Sequence, residues 1–202
     1  QTPIIDVRKV LREKAPRISK KIPACIVNYL IRTIHQDELN RILQCHAALD
    51  GVAFMEALIR EFDLTLRLTG EEHLPSPEGR YLFVSNHPLG GLDGICLTAL
   101  IGQRYGEQVR CLVNDLLLFI PINKHGAQTK EAAVRLDEVF ASDCQVLTFP
   151  AGLCSRKQNG HIEDTEWKKS FVRNAVKYHR DVVPVFFEGR NSDFFYRLAH
   201  IR

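Results

Sequence analysis

Apolar positions in this chain follow two rhythms, and the change from one to the other divides it. Near the start the rhythm is helical. Residues 5–15 make a basic amphipathic helix stopped by Pro16. Pro23 opens a second helix over 24–35, apolar around most of its circumference. Residues 36–46 are more polar, and in 51–62 the side chains Val52, Met55, Leu58, Ile59 and Phe62 share one face. Residues 1–62 therefore read as an N-terminal helical segment. Leu64, Leu66 and Leu68 alternate with polar residues, which predicts a half-buried strand over 64–68. A polar, Pro/Gly-rich connection follows over 70–79. From there, predicted strands at 80–84, 109–113, 145–149 and 182–187 alternate with predicted helices at 91–105, 128–141 and 166–179. Such alternation predicts an α/β fold for 63–202, with a mostly parallel central sheet flanked by helices, the whole chain forming one compact unit. Pro184 inside the last strand places it at a sheet edge or irregularity.

Charge adds one feature to this picture. The total is +3, yet residues 1–21 hold seven Lys or Arg against Asp6 and Glu13, a local +5. A basic end suits an acidic partner such as an anionic membrane surface, and serves equally as a solvated helix face. No aromatic side chains interleave with it and no nucleic-acid-binding motif occurs, so nucleic acid is not an expected partner. The six cysteines, Cys25, Cys45, Cys96, Cys111, Cys144 and Cys154, form no C-x-x-C pair and read as reduced, mostly buried thiols of a cytoplasmic protein. No apolar run reaches the roughly 18 residues of a membrane span. The chain lacks an initial Met and a signal peptide, and ends inside a predicted helix, as a trimmed piece of a longer parent would.

Candidate chemistry gathers at the ends of the predicted strands, where open α/β sheets bind ligands. After the run 81–84 come Asn86-His87-Pro88, then Gly90-Gly91, then Asp93 near the start of a helix. A histidine there can accept a proton from a hydroxyl, provided a carboxylate fixes its tautomer and supports the imidazolium. The glycines permit unusual φ angles and close approach of a substrate. The same residues also describe a Gly-rich turn with a capping Asp. A second stretch, Phe149-Pro150-Ala151-Gly152-Leu153-Cys154-Ser155-Arg156, leaves another strand end. Backbone amides near Gly152 suit an oxyanion, and Arg156 suits a phosphate or carboxylate. A turn with a surface Arg fits it equally. Its setting is not Gly-x-Ser-x-Gly, so neither Ser155 nor Cys154 is expected to act as a covalent nucleophile. A third stretch, Leu116 to Gly126 through Phe119, Asn123 and Lys124, turns from apolar to polar, as the wall and mouth of a greasy tunnel would, or as buried packing.

Taken in order, these stretches resemble the four motifs of the glycerolipid (lysophospholipid) acyltransferase superfamily. Asn86-His87…Asp93 is similar to the first motif, Phe119-Ile120 to the second, Phe149-Pro150-Ala151-Gly152…Ser155-Arg156 to the third and Val183-Pro184-Val185 to the fourth, over roughly residues 64–190. The form of the first and third motifs resembles a hemolysin-like bacterial subgroup related to enzymes that make ornithine or glycine aminolipids. The resemblance implies transfer of a fatty acyl group from acyl-ACP or acyl-CoA to the hydroxyl of a lysolipid, without metal or further cofactor. It implies His87 as general base, Asp93 as its partner, and a substrate site drawn from Asn86, Gly90, Gly91, Phe119, Asn123, Lys124, Phe149, Pro150, Gly152, Ser155 and Arg156. Asn86 or the amides near Gly152 would hold the oxyanion, and Arg156 and Lys124 the acceptor head group. The enzyme would sit peripherally on the inner face of the cell membrane. Two departures bear on the acceptor: Ala151 replaces the third motif's Glu, and the second motif's Arg is missing. A lyso-aminolipid acceptor fits that pattern, beside a 1-acylglycerol-3-phosphate-like one. A third departure is spacing. Five residues rather than four separate His87 from Asp93, a turn of about 100° on a regular helix, with Gly90-Gly91 placed to absorb it. The rival readings are a thioesterase or lipid hydrolase, and a non-catalytic lipid-binding protein.

Overall fold

Strand β1 (Tyr81–Ser85) is buried at every position, and the rest of the α/β unit is arranged around it. The computed structural model describes residues 4–14, 16–19, 21–112, 130–158 and 160–199. Phe119, Asn123, Lys124 and the expected tunnel wall lie outside the described residues. Two units can be distinguished, Gln1–Asp50 and Gly51–Arg202.

The first unit is helical. Asp6 precedes α1 (Val7–Lys14) and its carboxylate accepts the Lys9 N–H at 3.1 Å, filling a donor that the first turn leaves open. Helices α2 (Pro16–Ser19), α3 (Ala24–Thr33) and α4 (Gln36–Cys45) follow, with a left-handed His35 turning the chain between the last two. The Asn40 side chain closes the unit by accepting from the Ile5 N–H and donating to the Ile5 carbonyl, at 2.7 and 2.8 Å.

In the second unit α5 (Gly51–Glu61) packs on α6 (Leu92–Tyr105). Gly102 makes the close approach possible, because a Cβ there would stand 2.4 Å from a Val52 methyl. Strands β2 (Val109–Leu112), β3 (Gln145–Thr148) and β6 (Asp181–Val185) join β1 in one sheet of order β2-β3-β1-β6, every pairing parallel. Pro184 does sit on an edge strand, β6, where a missing N–H disrupts least. Helix α7 (Lys130–Ala141) precedes β3, and α8 (Ser170–Lys177) precedes β6.

Alternation along β1 fills both faces of the sheet. Tyr81 and Phe83 meet Leu97 and Ile101 of α6, while Leu82 and Val84 meet Phe140 of α7 and Ala175 of α8. Each such buried Leu, Val or Phe contributes about 1.5–3 kcal/mol. The chain thus leaves β1 toward one face and β3 toward the other. Neighbouring strands whose connections part in this way open a crevice at their carboxyl ends.

Several expectations change. Residues 64–68 form no strand; among the described residues none pairs with them, and Leu68 is exposed. Helix α8 is shorter than 166–179, and the Lys168 N–H ahead of it goes to the Pro150 carbonyl. A short antiparallel hairpin, β4 (Arg156–Gln158) and β5 (His161–Glu163), was not anticipated, while α9 (Asp193–Ala199) is a helix near the chain end, as expected. Cys96, Cys111 and Cys144 are buried and Cys154 partly so, but Cys25 and Cys45 are exposed. Burial, with the charge of Asp93 next, pushes the Cys96 thiol up to about 11. Arg180, unremarked in the sequence, is buried and donates to main-chain carbonyls including Phe140 at 2.9 Å and Cys144 at 2.7 Å.

Candidate active site

The site begins where β1 ends. Asn86 donates its amide to the Phe187 carbonyl at 2.9 Å and accepts the Phe187 N–H at 2.7 Å, continuing the β1–β6 pairing past the strand ends by a side chain. Its carboxamide therefore ties two loops together, with the amide nitrogen already engaged.

The next residue carries the chemistry. His87 is 14% exposed at its side chain, and its Nδ1 lies 3.1 Å from Oδ2 of a fully buried Asp93. A carboxylate only accepts, so the proton between them belongs to Nδ1, and Nε2 of the neutral ring is left as an acceptor. The imidazole lies against the Phe149 ring, centroids 4.3 Å apart and planes 29° from parallel.

Asp93 is held on all sides. Oδ2 also accepts the N–H groups of Leu89 (2.9 Å) and Gly90 (3.2 Å), and Oδ1 accepts that of Gly94 (2.9 Å). Burial alone opposes its charge, but His87 and the amides of Leu89 and Gly94 outweigh burial and hold its pKa below the ordinary carboxylate value. Its place in the first turn of α6 adds the favourable end of the helix dipole.

The loop absorbs the extra residue between His87 and Asp93. Gly90 has φ +83°, which favours glycine, and a Cβ there would come 2.4 Å from Cys154 Sγ and force that side chain to move. Gly91 differs: its φ is −128° and the space around it is open. Because residues 86–91 are not helical, the 100° argument does not apply, and Asp93 still meets His87.

The β3 end supplies the opposite wall. Phe149 to Gly152 forms a tight turn, with the Gly152 N–H spent on the Phe149 carbonyl at 2.9 Å and Gly152 at φ +68°. That amide is accordingly already engaged within the turn. The Pro150 carbonyl accepts Lys168 N–H at 3.2 Å. Ser155 is buried, its hydroxyl donating to Asp164 at 2.6 Å. Arg156 stands on β4 with its guanidinium 5.7 Å from the Phe195 ring centre.

Sequence reading missed three groups here. Asp164 accepts the His87 N–H at 3.1 Å and the Trp167 indole N–H at 2.9 Å. Phe187 receives Asn86, and Asn191 donates to the Pro88 carbonyl at 2.7 Å. Nothing in the local pattern of Glu163-Asp164-Thr165-Glu166 marks the one acid that turns inward. A cavity of about 270 Å³ lies elsewhere, on the α6 side of the sheet among Leu68, Leu74, Phe83, Ile101 and Val185; neither His87 nor Asp93 lines it. Among the described residues, no cluster of three or more His, Cys, Asp or Glu side chains is placed to hold a metal ion, and no helix is long and apolar enough to cross a membrane.

Comparison with known proteins gives the pair a setting. Residues 9–202 match the family model described as Acyltransferase. The chain is 49% identical over 206 residues to a lyso-glycine lipid O-acyltransferase of Phocaeicola vulgatus, an alignment covering 98% of this chain and 74% of that protein. It is 50% identical over 206 residues to a protein of the same name from Bacteroides thetaiotaomicron, covering 98% and 75%. No solved structure matches it.

Proposed function

The chain belongs to the acyltransferase family, and from that premise we propose that it transfers a fatty acyl group from a thioester, acyl-ACP or acyl-CoA, to the hydroxyl of a lyso-aminolipid of the lyso-glycine lipid class. The observation that carries this reading is the 3.1 Å contact between His87 Nδ1 and buried Asp93, which leaves Nε2 as a proton acceptor. In the reaction, Nε2 takes the hydroxyl proton as the alcohol oxygen attacks the thioester carbonyl. The C–S bond then breaks, and the imidazolium returns its proton to the departing thiolate. Asp93 keeps the ring oriented and stabilises its charged form.

Direct transfer suits the surroundings better than an acyl-enzyme. The Ser155 hydroxyl is committed to Asp164. The Cys154 thiol is pushed up by burial and then by the charge of Asp93, which keeps it from being a thiolate. Arg156 offers a planar fork for an anionic acceptor head group. The N-terminal helices, with Arg8, Lys9, Arg12, Arg17 and Lys21 exposed, would dock the enzyme peripherally on an anionic bilayer.

The test is an incubation of purified protein with a synthetic lyso-glycine lipid and palmitoyl thioester of acyl carrier protein or CoA, followed by mass spectrometry. The reading expects the lipid to gain one acyl group. Release of free fatty acid alone would make the protein a hydrolase, and an unchanged thioester would leave lipid binding as its role.

A further inference from the structure

We propose that Asp164 and Ser155 form a clamp that sets the position of the His87 main chain, making Asp164 a positioning residue for acyl transfer. The proposal rests on the reading of His87 as the base. Two features of the geometry carry it. His87 is gripped at both of its peptide groups: its N–H donates to Asp164 Oδ1 at 3.1 Å, and its carbonyl accepts the Ser155 N–H at 2.8 Å. The two grips are themselves linked, because the Ser155 hydroxyl donates to the same Asp164 oxygen at 2.6 Å. Hydrogen bonds thus run in a closed ring from His87 to Asp164 to Ser155 and back to His87.

Without this ring, His87 would follow a loop whose next residues include a proline and a left-handed glycine. Asp93 fixes the imidazole at Nδ1 and the Phe149 ring covers one face of it, but neither contact sets where the main chain of His87 stands. Holding the backbone of the same residue sets it, so that Nε2 has one direction. Asp164 is in turn anchored by the Trp167 indole N–H at 2.9 Å on its other oxygen. Trp167 and Asp164 both follow the β4–β5 hairpin, so this hairpin, which opens on Arg156 at the end of the third motif, delivers the clamp to the crevice.

The clamp acts through geometry rather than charge, and that distinction is testable. A misplacement of about 1 Å can cost about 10²-fold in rate. In the lyso-glycine lipid assay, Asp164→Ala is expected to lower kcat by roughly 10- to 100-fold with the lipid KM unchanged. Asp164→Asn combined with Trp167→Phe, which removes the indole donor that the new amide NH2 would face, should restore most of that turnover, since the carboxamide oxygen still accepts from His87 N–H and Ser155 Oγ–H. Ser155→Ala, which removes one link of the ring and leaves the backbone contact, should produce a smaller loss in kcat. It decides the question should Asp164→Ala fail to fold. Wild-type kcat in Asp164→Ala or in Ser155→Ala while His87→Ala is inactive overturns the clamp alone. So does an Asp164→Asn, Trp167→Phe enzyme as impaired as Asp164→Ala. Wild-type turnover in His87→Ala overturns the general-base reading beneath it.

Discussion

Removing a carboxylate from water is expensive unless donors replace the water. Asp93 has three backbone N–H groups and an imidazole around two oxygens, with no exposed surface. Its lowered pKa converts into a stability term with a definite sign. The unfolded chain takes up this proton near the ordinary carboxylate value of about 3.9, whereas the folded protein resists until lower pH. The contribution is complete above that value and is lost as pH falls through the folded pKa. Chemical denaturation at several pH values should show Asp93→Asn less stable than wild type at pH 7, with the gap closing below about pH 4. A gap independent of pH would mean the charge contributes nothing. At this scale His87 and Asp93 were legible because a strand, a broken loop and a helix start appear in the local pattern. Asp164 was not, because its partners His87, Ser155 and Trp167 come from both sides of a hairpin that sequence did not reveal. Gly90 and Gly91 looked equivalent and differ in φ.

Elements were legible where periodicity ran long enough to be read. Helices α3 to α6 and strands β1, β2, β3 and β6 fall near their expected bounds. Three-residue strands cannot display a period, so β4 and β5 were invisible. Alternation misled at 64–68, where spacing mimics a strand but none of the described residues pairs with it. Arg180 belongs to this scale too. It joins the end of α7 and the start of β3 by donating to the carbonyls of Phe140, Ser142 and Cys144, and also reaches Tyr81. Truncation would strand several buried acceptors, each costing about 1–3 kcal/mol when unsatisfied. Arg180→Ala should therefore lose roughly 3 kcal/mol or more of stability in urea unfolding. A loss below about 1 kcal/mol would show that water replaces the guanidinium freely.

At the scale of the molecule, the α/β unit holds the proposed chemistry and the basic N-terminal unit holds the proposed membrane contact. Exposed Ile26 and Tyr29 stand on α3 of that unit, apolar companions for its cations. Flotation with vesicles containing phosphatidylserine should capture the protein at low salt, release it as salt rises, and capture less of a double Arg12→Glu, Lys21→Glu variant. Binding insensitive to both salt and charge reversal would assign the N-terminal charges to solvation alone. The family was legible from motif order, while the proposed acceptor class rested on the form of the first and third motifs, on Ala151 and on the missing Arg of the second. One measurement reaches the centre of the account: kcat of His87→Ala against wild type, with the melting temperature of each. Loss of turnover by about 10²–10⁴-fold in a variant that melts normally is the predicted result. A normally folded His87→Ala enzyme that still acylates the lysolipid at the wild-type rate would contradict it.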